Sequence, residues 1–473
     1  MAGPCKFKFP CALIKDLYAQ ADSLIGTQQT VYGHVRSVRP QAGQTFLAVY
    51  DGSHIKALQG ILPAGSPVIH TGAFVKITGT LVKSPAKGQA VEMLITELEC
   101  PGPVADTTTY LPLVKAVPLE LLRGRNAYLR PKFQTYAAVY AIRDGADRII
   151  NEHLRGLHFR RLDPNVLSAS DCEGAGEMFQ LEKSAAFFGK TVGLTVSSQL
   201  QLEALVPCAV GVYTLNKSFR AEKSSTSRHL AEFTHLEWES KFVTDLDGLM
   251  DFNEDLIQGV IRRVLAEYPE EYALLNQYVS KGIIARLNSF IAQDFARISY
   301  TEAVDLIARD REKILALFPD LTPADIPRWG DDLGSRCERY LAEELYARPV
   351  FVFNYPRDLK SFYMKVNPVD PVDPVDAQGR YTVQGCDLLV PYMGELIGSS
   401  VREEKVDLLL GEILRRGIDQ ASLDWYVDLR RNGGCKTSGS GMGFDRLVQI
   451  LCYTNSNIRD AVPFPVAYSE CEF

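Results

Sequence analysis

No run of apolar residues in this chain approaches the length of a bilayer span, so no segment reads as a transmembrane helix. The opening Met1-Ala-Gly-Pro-Cys-Lys6 lacks the charged and apolar regions of a signal peptide. The ten cysteines are scattered with no CxxC pair, which argues against a zinc ribbon or a disulfide scaffold and for reduced thiols in the cytoplasm. There is no GxSxG elbow, no Walker loop, no dinucleotide fingerprint and no Cys/His pair at a telling spacing. A net charge of −7 does not advertise a nucleic-acid binder, but the charge is unevenly spread. Residues 1–110 carry nine Lys/Arg against seven Asp/Glu, a net of +2, which leaves −9 for the remainder. A mildly basic N-terminal third is compatible with RNA binding. What is present, 473 residues of which 46% are hydrophobic and 23% charged, is the composition of a soluble globular chain long enough for two or three domains.

Residues 1–25 read as a short helical lead-in. Alternation in Thr30–Arg39 and strand-like runs at Thr45–Tyr50, Ile55–Leu62, Phe74–Val82 and Ala90–Cys100 predict about five short strands. Such a small barrel, over residues 1–102, is most often an OB-fold, although a barrel that merely packs on a neighbour reads the same way. Residues 103–125, led by Pro101-Gly-Pro103, suit a linker. Residues 126–473 then form an α+β domain, a mostly antiparallel sheet flanked by helices. It opens with a long helix from Asn126 to His153 and carries a helical insertion around 255–345. Strands are expected at Val350–Phe353 and Phe362–Val366, and helices at Val401–Arg416 and Phe444–Cys452. Pro368-Val-Asp-Pro-Val-Asp-Pro-Val-Asp376 places proline at every third position, which suits an exposed extended loop.

The glycines of Gly439-Ser-Gly-Met-Gly-Phe-Asp-Arg446 read as a loop that lets a backbone come close to something flat or charged, and Arg446 falls in the first turn of the helix that follows. A helix N-terminus beside a guanidinium suits phosphate. Upstream, Phe219-Arg-Ala-Glu222 places Arg220 and Glu222 two apart, on one face if the segment is a strand. Arg220 would bind phosphate and Glu222 would accept from an exocyclic amine, with Phe233 able to stack on a base. Taken alone, these four residues fit a surface hairpin with an inter-strand ion pair better. Asp387 and Glu395 offer two carboxylates for Mg²⁺, a hard cation that prefers oxygen. Arg402 suits a substrate carbonyl or carboxylate, or a solvated helix face. Glu173 and Gln199 could hold an ammonium group.

Taken in order, these segments resemble the class II aminoacyl-tRNA synthetases of the aspartate/asparagine/lysine subgroup, and within it the asparagine enzymes. The likeness covers nearly the whole chain. Val31–Gln59 resembles the anticodon-binding barrel, Leu157–Pro164 the dimer-forming motif 1, Phe219–Glu239 motif 2 and Gly439–Arg446 motif 3. Asp171–Phe179, Thr226–Phe233, Trp329–Leu333 and Phe362–Lys365 favour asparagine over aspartate. So does Leu202, which stands where the aspartate enzymes resemble Ser-Pro-Gln-Leu-Tyr-Lys, and is expected in a carboxamide pocket that does not need the lysine's charge.

The resemblance implies an ATP-dependent ligase that makes asparaginyl-adenylate and passes the amino acid to tRNA(Asn), acting as a cytoplasmic homodimer. Arg220, Arg446 and Glu395 would be catalytic. ATP would meet Arg220, Glu222, Arg228, His229, Leu230, Phe233, Glu395, Gly443 and Arg446. Asparagine would meet Glu173, Gln199, Arg220 and Arg402, and Mg²⁺ would sit on Glu395 and Asp387. Phe46, Gln59 and Arg36 would read an anticodon base. Two departures stand out: Lys436-Thr437 replaces an expected Pro-His, and Val466 replaces an arginine. They keep two alternatives open, a relaxed enzyme that also charges aspartate and a catalytically silent RNA-binding relative.

Overall fold

The computed structural model describes residues 7–86, 88–113, 117–169, 178–224, 226–368, 379–453 and 457–473. The Val-Asp-Pro repeat lies outside them from residue 369 onward. The chain divides into two compact units, Met1–Ala141 and Ile142–Glu472. The segment 103–125 and the start of the helix Gln134–Gly156 therefore go with the first.

The first unit is a closed five-stranded barrel of β1 (Gln28–Gln41), β2 (Gln44–Tyr50), β3 (Leu58–Pro63), β4 (Phe74–Lys83) and β5 (Val91–Gly102), in the order β1-β2-β3-β5-β4. Period-two burial builds its core: Val75, Ile77 and Leu81 of β4 meet Val31, Val49, Leu58 and Met93. The register of β1 against β2 slips between Val35 and Ser37. Before this bulge Val31 and Val35 face the core; after it Val38 packs there and Arg39 pairs with Phe46.

The predicted long helix begins later than expected. Gly124–Lys132 is 3-10 and the α-helix is Gln134–Gly156, because Pro131 removes a donor and disfavours helical geometry at the residue before it.

In the second unit the short strands β7 (Leu167–Ser168) and β8 (Gly193–Leu194) pair with one another. The main sheet has eight strands: β6 (Phe159–Arg161), β9 (Gly211–Phe219), β10 (Glu232–Ser240), β11 (Ala296–Ser299), β12 (Val350–Phe353), β13 (Gly385–Val390), β14 (Gly394–Val401) and β15 (Ser438–Gly443). Their order is β11-β12-β13-β14-β15-β10-β9-β6, parallel only at its two edges. The helical insertion is present; its helix Tyr300–Arg309 is fixed by a capping box between Ser299 and Glu302. Phe362–Val366 makes only isolated bridges, through Met364 and Val366. Val401 ends a strand, and the helix expected to start there runs Val406–Arg415.

The largest correction concerns the glycines of motif 3. They form β15, a central strand between β14 and β10, and not a loop. A Cβ on Gly439 would lie 2.2 Å from both the Glu239 carboxylate and the Trp238 carbonyl, and one on Gly441 would lie 2.7 Å from the His235 ring. The glycines therefore make room for side chains of β10. Gly439→Ala is expected to destabilise the protein by about 1–3 kcal/mol, as overpacking does, in a denaturant titration. A wild-type midpoint would show that β10 yields freely.

Candidate active site

Two adjoining cavities, each ≈ 220 Å³, open over β10, β14 and β15 and share Arg220, His235, Glu395 and Gly441 in their walls. The first collects every residue expected at ATP: Arg220, Glu222, Arg228, His229, Leu230, Phe233, Glu395, Gly443 and Arg446. The second holds Gln199, Arg220, Arg402, Asp387 and Glu395. Glu173 lies outside the described residues.

Arg220 and Glu222 sit just beyond the end of β9 rather than on it. The ladder is prolonged by one bond, Arg220 N–H to the Ala231 carbonyl, 3.0 Å. Ala231 in turn donates to the Val466 carbonyl at 2.8 Å, so Val466 supports the motif 2 loop through its backbone. Arg220 lies 5.6 Å from the centre of the Phe233 ring. The His229 ring is held by Ser224 at 2.9 Å and Thr226 at 2.5 Å, 3.6 Å from Glu222. Burial lowers its pKa, with Glu222 pulling the other way. Leu230 packs with Ile458 and Val462 as an apolar wall.

Arg446 occupies the first turn of the helix Phe444–Cys452, as expected, and donates to the Glu395 carbonyl at 2.8 Å. The neighbouring Asp445 ties that helix to the sheet. Its carboxylate accepts from Thr234 N–H at 2.7 Å and from Arg143 at 2.6 Å.

Several groups were missed from sequence. His235 is buried between the cavities, where burial lowers its pKa. Glu237 is held by Ser198 N–H at 2.8 Å and by the Ser197 hydroxyl. Glu338 comes from the helical insertion. Burial, with Glu395 and Asp387 nearby, pushes its carboxyl up to about 7, while Arg228 opposes. Lys360 pairs with Asp387 at 2.5 Å. None of these sits in a spacing motif; His235 and Glu237 alternate along β10 and were the only ones a strand reading could have found.

Asp387 and Glu395 fit the divalent cation expected of them. A Cβ on Gly398 would lie 3.4 Å from Glu395 Oε1 and 3.7 Å from Asp387 Oδ1, so glycine keeps open a space flanked by both carboxylates. Among the described residues no cluster of three or more His, Cys, Asp or Glu could hold a metal alone. Mg²⁺ suits this arrangement, since it is commonly held by one or two carboxylates together with substrate phosphates.

Deeper in the second cavity, Arg402 is 4% exposed and grips Glu239 through Nε at 3.3 Å and through Nη2. Glu203 stands behind this pair, 3.9 Å from Arg402, and is bound by Arg430 at 2.6 Å, Tyr426 at 2.8 Å and Gln199 at 3.1 Å. Burial works against the Arg402 charge, but Glu239 and Glu203 hold it above the ordinary arginine value. Burial pushes the Glu239 carboxyl up while Arg402 draws it down, and the bidentate contact with Arg402 is that of an ionised pair. The solvated-face reading of Arg402 is thus corrected. Leu202 is corrected as well: it packs with Val206 and Val212 and does not line the cavity. Thr437 accepts from Arg402 N–H through its carbonyl at 2.9 Å, so that departure touches the pocket through backbone.

In the barrel, the sequence grouping of Phe46, Gln59 and Arg36 separates. Arg39 donates to Gln59 at 2.8 Å and lies 5.9 Å from the Phe46 ring, whereas Arg36 stacks on Tyr50 in another cavity.

The family described as tRNA synthetases class II (D, K and N) matches residues 120–467. An asparagine–tRNA ligase of Colwellia psychrerythraea is 39% identical over 460 residues, covering 92% of this chain and 94% of that protein. One of Desulfotalea psychrophila is 40% identical over 446 residues, with the same coverage, 92% and 94%. Among solved structures, asparaginyl-tRNA synthetase from Pyrococcus horikoshii complexed with asparaginyl-adenylate superposes with a TM-score of 0.82 at 28% identity, covering 98% of this chain and 100% of that one. With the fold, the paired cavities and these relatives in agreement, the chain belongs to the class II tRNA synthetases of the D, K and N group, among the asparagine–tRNA ligases.

Proposed function

We propose that this chain joins L-asparagine to tRNA(Asn) in two steps, using ATP to make asparaginyl-adenylate and then transferring the asparaginyl group to the terminal ribose of the tRNA. The observation that carries this reading is the pair of cavities meeting at Arg220. A guanidinium reaching both is placed to hold the α-phosphate and the amino-acid carboxylate together. The carboxylate attacks the α-phosphorus, pyrophosphate leaves, and no protein nucleophile is needed. Catalysis is then positioning and neutralisation of phosphate charge.

Arg228, His229 and Arg446 lie along the first cavity for the outer phosphates, with Phe233 and Arg446 for the adenine. Mg²⁺ bound by Glu395 and Asp387 would neutralise phosphate charge. Lys360 keeps Asp387 oriented. In the second cavity Arg402 would donate to the side-chain carbonyl oxygen. Its charge is already balanced by Glu239, which suits an uncharged carboxamide better than a carboxylate. Gln199 and Glu237, which line the same cavity, would take the ammonium end.

The barrel patch of Phe46, Gln59 and Arg39 supports reading of an anticodon base by stacking and hydrogen bonding. Leu157–Pro164 resembles a dimer-forming element and Leu157 is exposed, which supports pairing of two copies. Among the described residues no helix is long and apolar enough to cross a membrane, and work in the cytoplasm accords with free cysteines.

The test is pyrophosphate exchange by purified protein with ATP and Mg²⁺, comparing asparagine, aspartate and lysine. Exchange with asparagine alone is expected. Comparable exchange with aspartate would mean a relaxed enzyme, and none with any amino acid would leave the silent relative.

A further inference from the structure

The barrel carries a third cavity, ≈ 490 Å³, larger than either catalytic one. It is built on the outer face of β1. Tyr32, His34 and Arg36 alternate along that strand and line it, with Tyr50 from β2 and Phe74 from β4 on either side. Lys132, from the 3-10 segment, closes one side.

Two cations, Arg36 and Lys132, line this cavity, and among the described residues no anion is bound to either. The Arg36 guanidinium carbon sits 3.3 Å from the centre of the Tyr50 ring, and both terminal nitrogens are buried with no hydrogen-bond partner. Lys132 has only neutral partners, His34 Nδ1 at 3.3 Å and the Gly72 carbonyl at 3.4 Å. Asp51 also lines the cavity, but its carboxylate is committed to Ile14 N–H at 2.8 Å and to the Ser53 N–H and hydroxyl. Burial lowers the pKa of both cations; the Tyr50 hydroxyl alone opposes it for Arg36, and no carboxylate opposes it for either. Buried donors of a charged group without acceptors are costly and call for a bound partner. The remaining wall is aromatic: Tyr32 lies roughly parallel to Phe74 with centres 6.4 Å apart, and His34 stands edge-on to Phe74 at 5.0 Å. Paired cations beside flat rings match a phosphate joined to a base.

We propose that this cavity binds a nucleoside 5′-monophosphate unit, with its phosphate on Arg36 and Lys132 and its base against Phe74 and Tyr32. The site is separate from the Phe46–Gln59–Arg39 patch and from the catalytic cavities, and it does not rest on the aminoacylation reading. The unit has two possible sources, a residue of an RNA strand or a free nucleotide.

The probe is cytidine 5′-monophosphate, titrated calorimetrically into the full chain, the Arg36→Gln and Lys132→Gln variants, and Arg220→Ala as a catalytic-cavity control. Affinity is expected to fall roughly tenfold or more in each barrel variant, since each removes a charge-assisted bond. It should be unchanged in Arg220→Ala. Pyrophosphate exchange should be unaffected by Arg36→Gln, and Arg36→Lys, which keeps the charge, should recover part of the binding. Thermal melts check that each variant folds. Displacement of the nucleotide by a short single-stranded oligoribonucleotide identifies an RNA strand as the source; displacement only by other mononucleotides identifies a free nucleotide. Absence of binding by either probe, or binding indifferent to both barrel substitutions, overturns the assignment.

Discussion

Replacing Arg220 by alanine is expected to lower asparagine-dependent pyrophosphate exchange about a thousandfold while leaving the circular dichroism spectrum unchanged. Among the described residues, Arg220 is the one guanidinium that lines both cavities. A donor aimed at charge that develops in the transition state is worth about 10²–10³ in rate when removed. Placed between the α-phosphate and the attacking carboxylate, it also contributes alignment, which adds to that loss. The effect should fall mainly on kcat and on the KM for asparagine together. Arg228 and Arg446, which line only the first cavity, should change the KM for ATP without a matching change for asparagine. The substitution leaves the backbone bond from Arg220 to Ala231 in place and removes the side chain's contact with the Phe233 ring, so the folded state is checked alongside activity. Exchange within threefold of the wild type would remove Arg220 from the chemistry.

What could be read from sequence followed from how locally each feature is determined. The barrel was legible because alternation in Phe74–Lys83 is a property of neighbouring residues, and its burial follows the same period. The helix Phe444–Cys452 appeared at its expected bounds because its apolar face repeats at helical spacing. The helix start at Asn126 failed on Pro131, a local signal outweighed by the apolar pattern that continues beyond it. The motif 3 glycines read as a loop because glycine is a turn signal by default; only the side chains of β10, more than 190 residues upstream, explain why a strand needs them.

The residues expected at ATP line one cavity because motif 2 and motif 3 each hold several in a row. Glu338 and Lys360 carry no such local mark and enter through elements brought in by the fold. Arg36 was grouped with Phe46 and Gln59 through the resemblance, which carries no strand register. The slip between Val35 and Ser37 changes which residue faces the patch, and Arg39 takes the position.

Arg402 should show the second large effect, and it separates structure from specificity. Arg402→Leu leaves Glu239 buried without its partner, and breaking such a pair costs about 3–5 kcal/mol. Asparagine activation should fall by about 10²–10³, the loss that follows when one charged donor to the substrate is removed. The Arg402→Leu/Glu239→Gln double variant should recover much of the stability in a denaturant titration, because no uncompensated carboxylate then faces the new apolar side chain, yet recover no exchange activity. A coupling seen in stability but absent from activity is what a donor to substrate requires and a purely structural arginine would not give. The single variant Glu239→Gln runs the other way. It leaves Arg402 with one carboxylate, Glu203, which is already bound by Arg430. The pocket then carries surplus positive charge, so aspartate should gain relative to asparagine in kcat/KM. An unchanged ratio of the two would mean that charge balance at Arg402 does not discriminate the carboxamide.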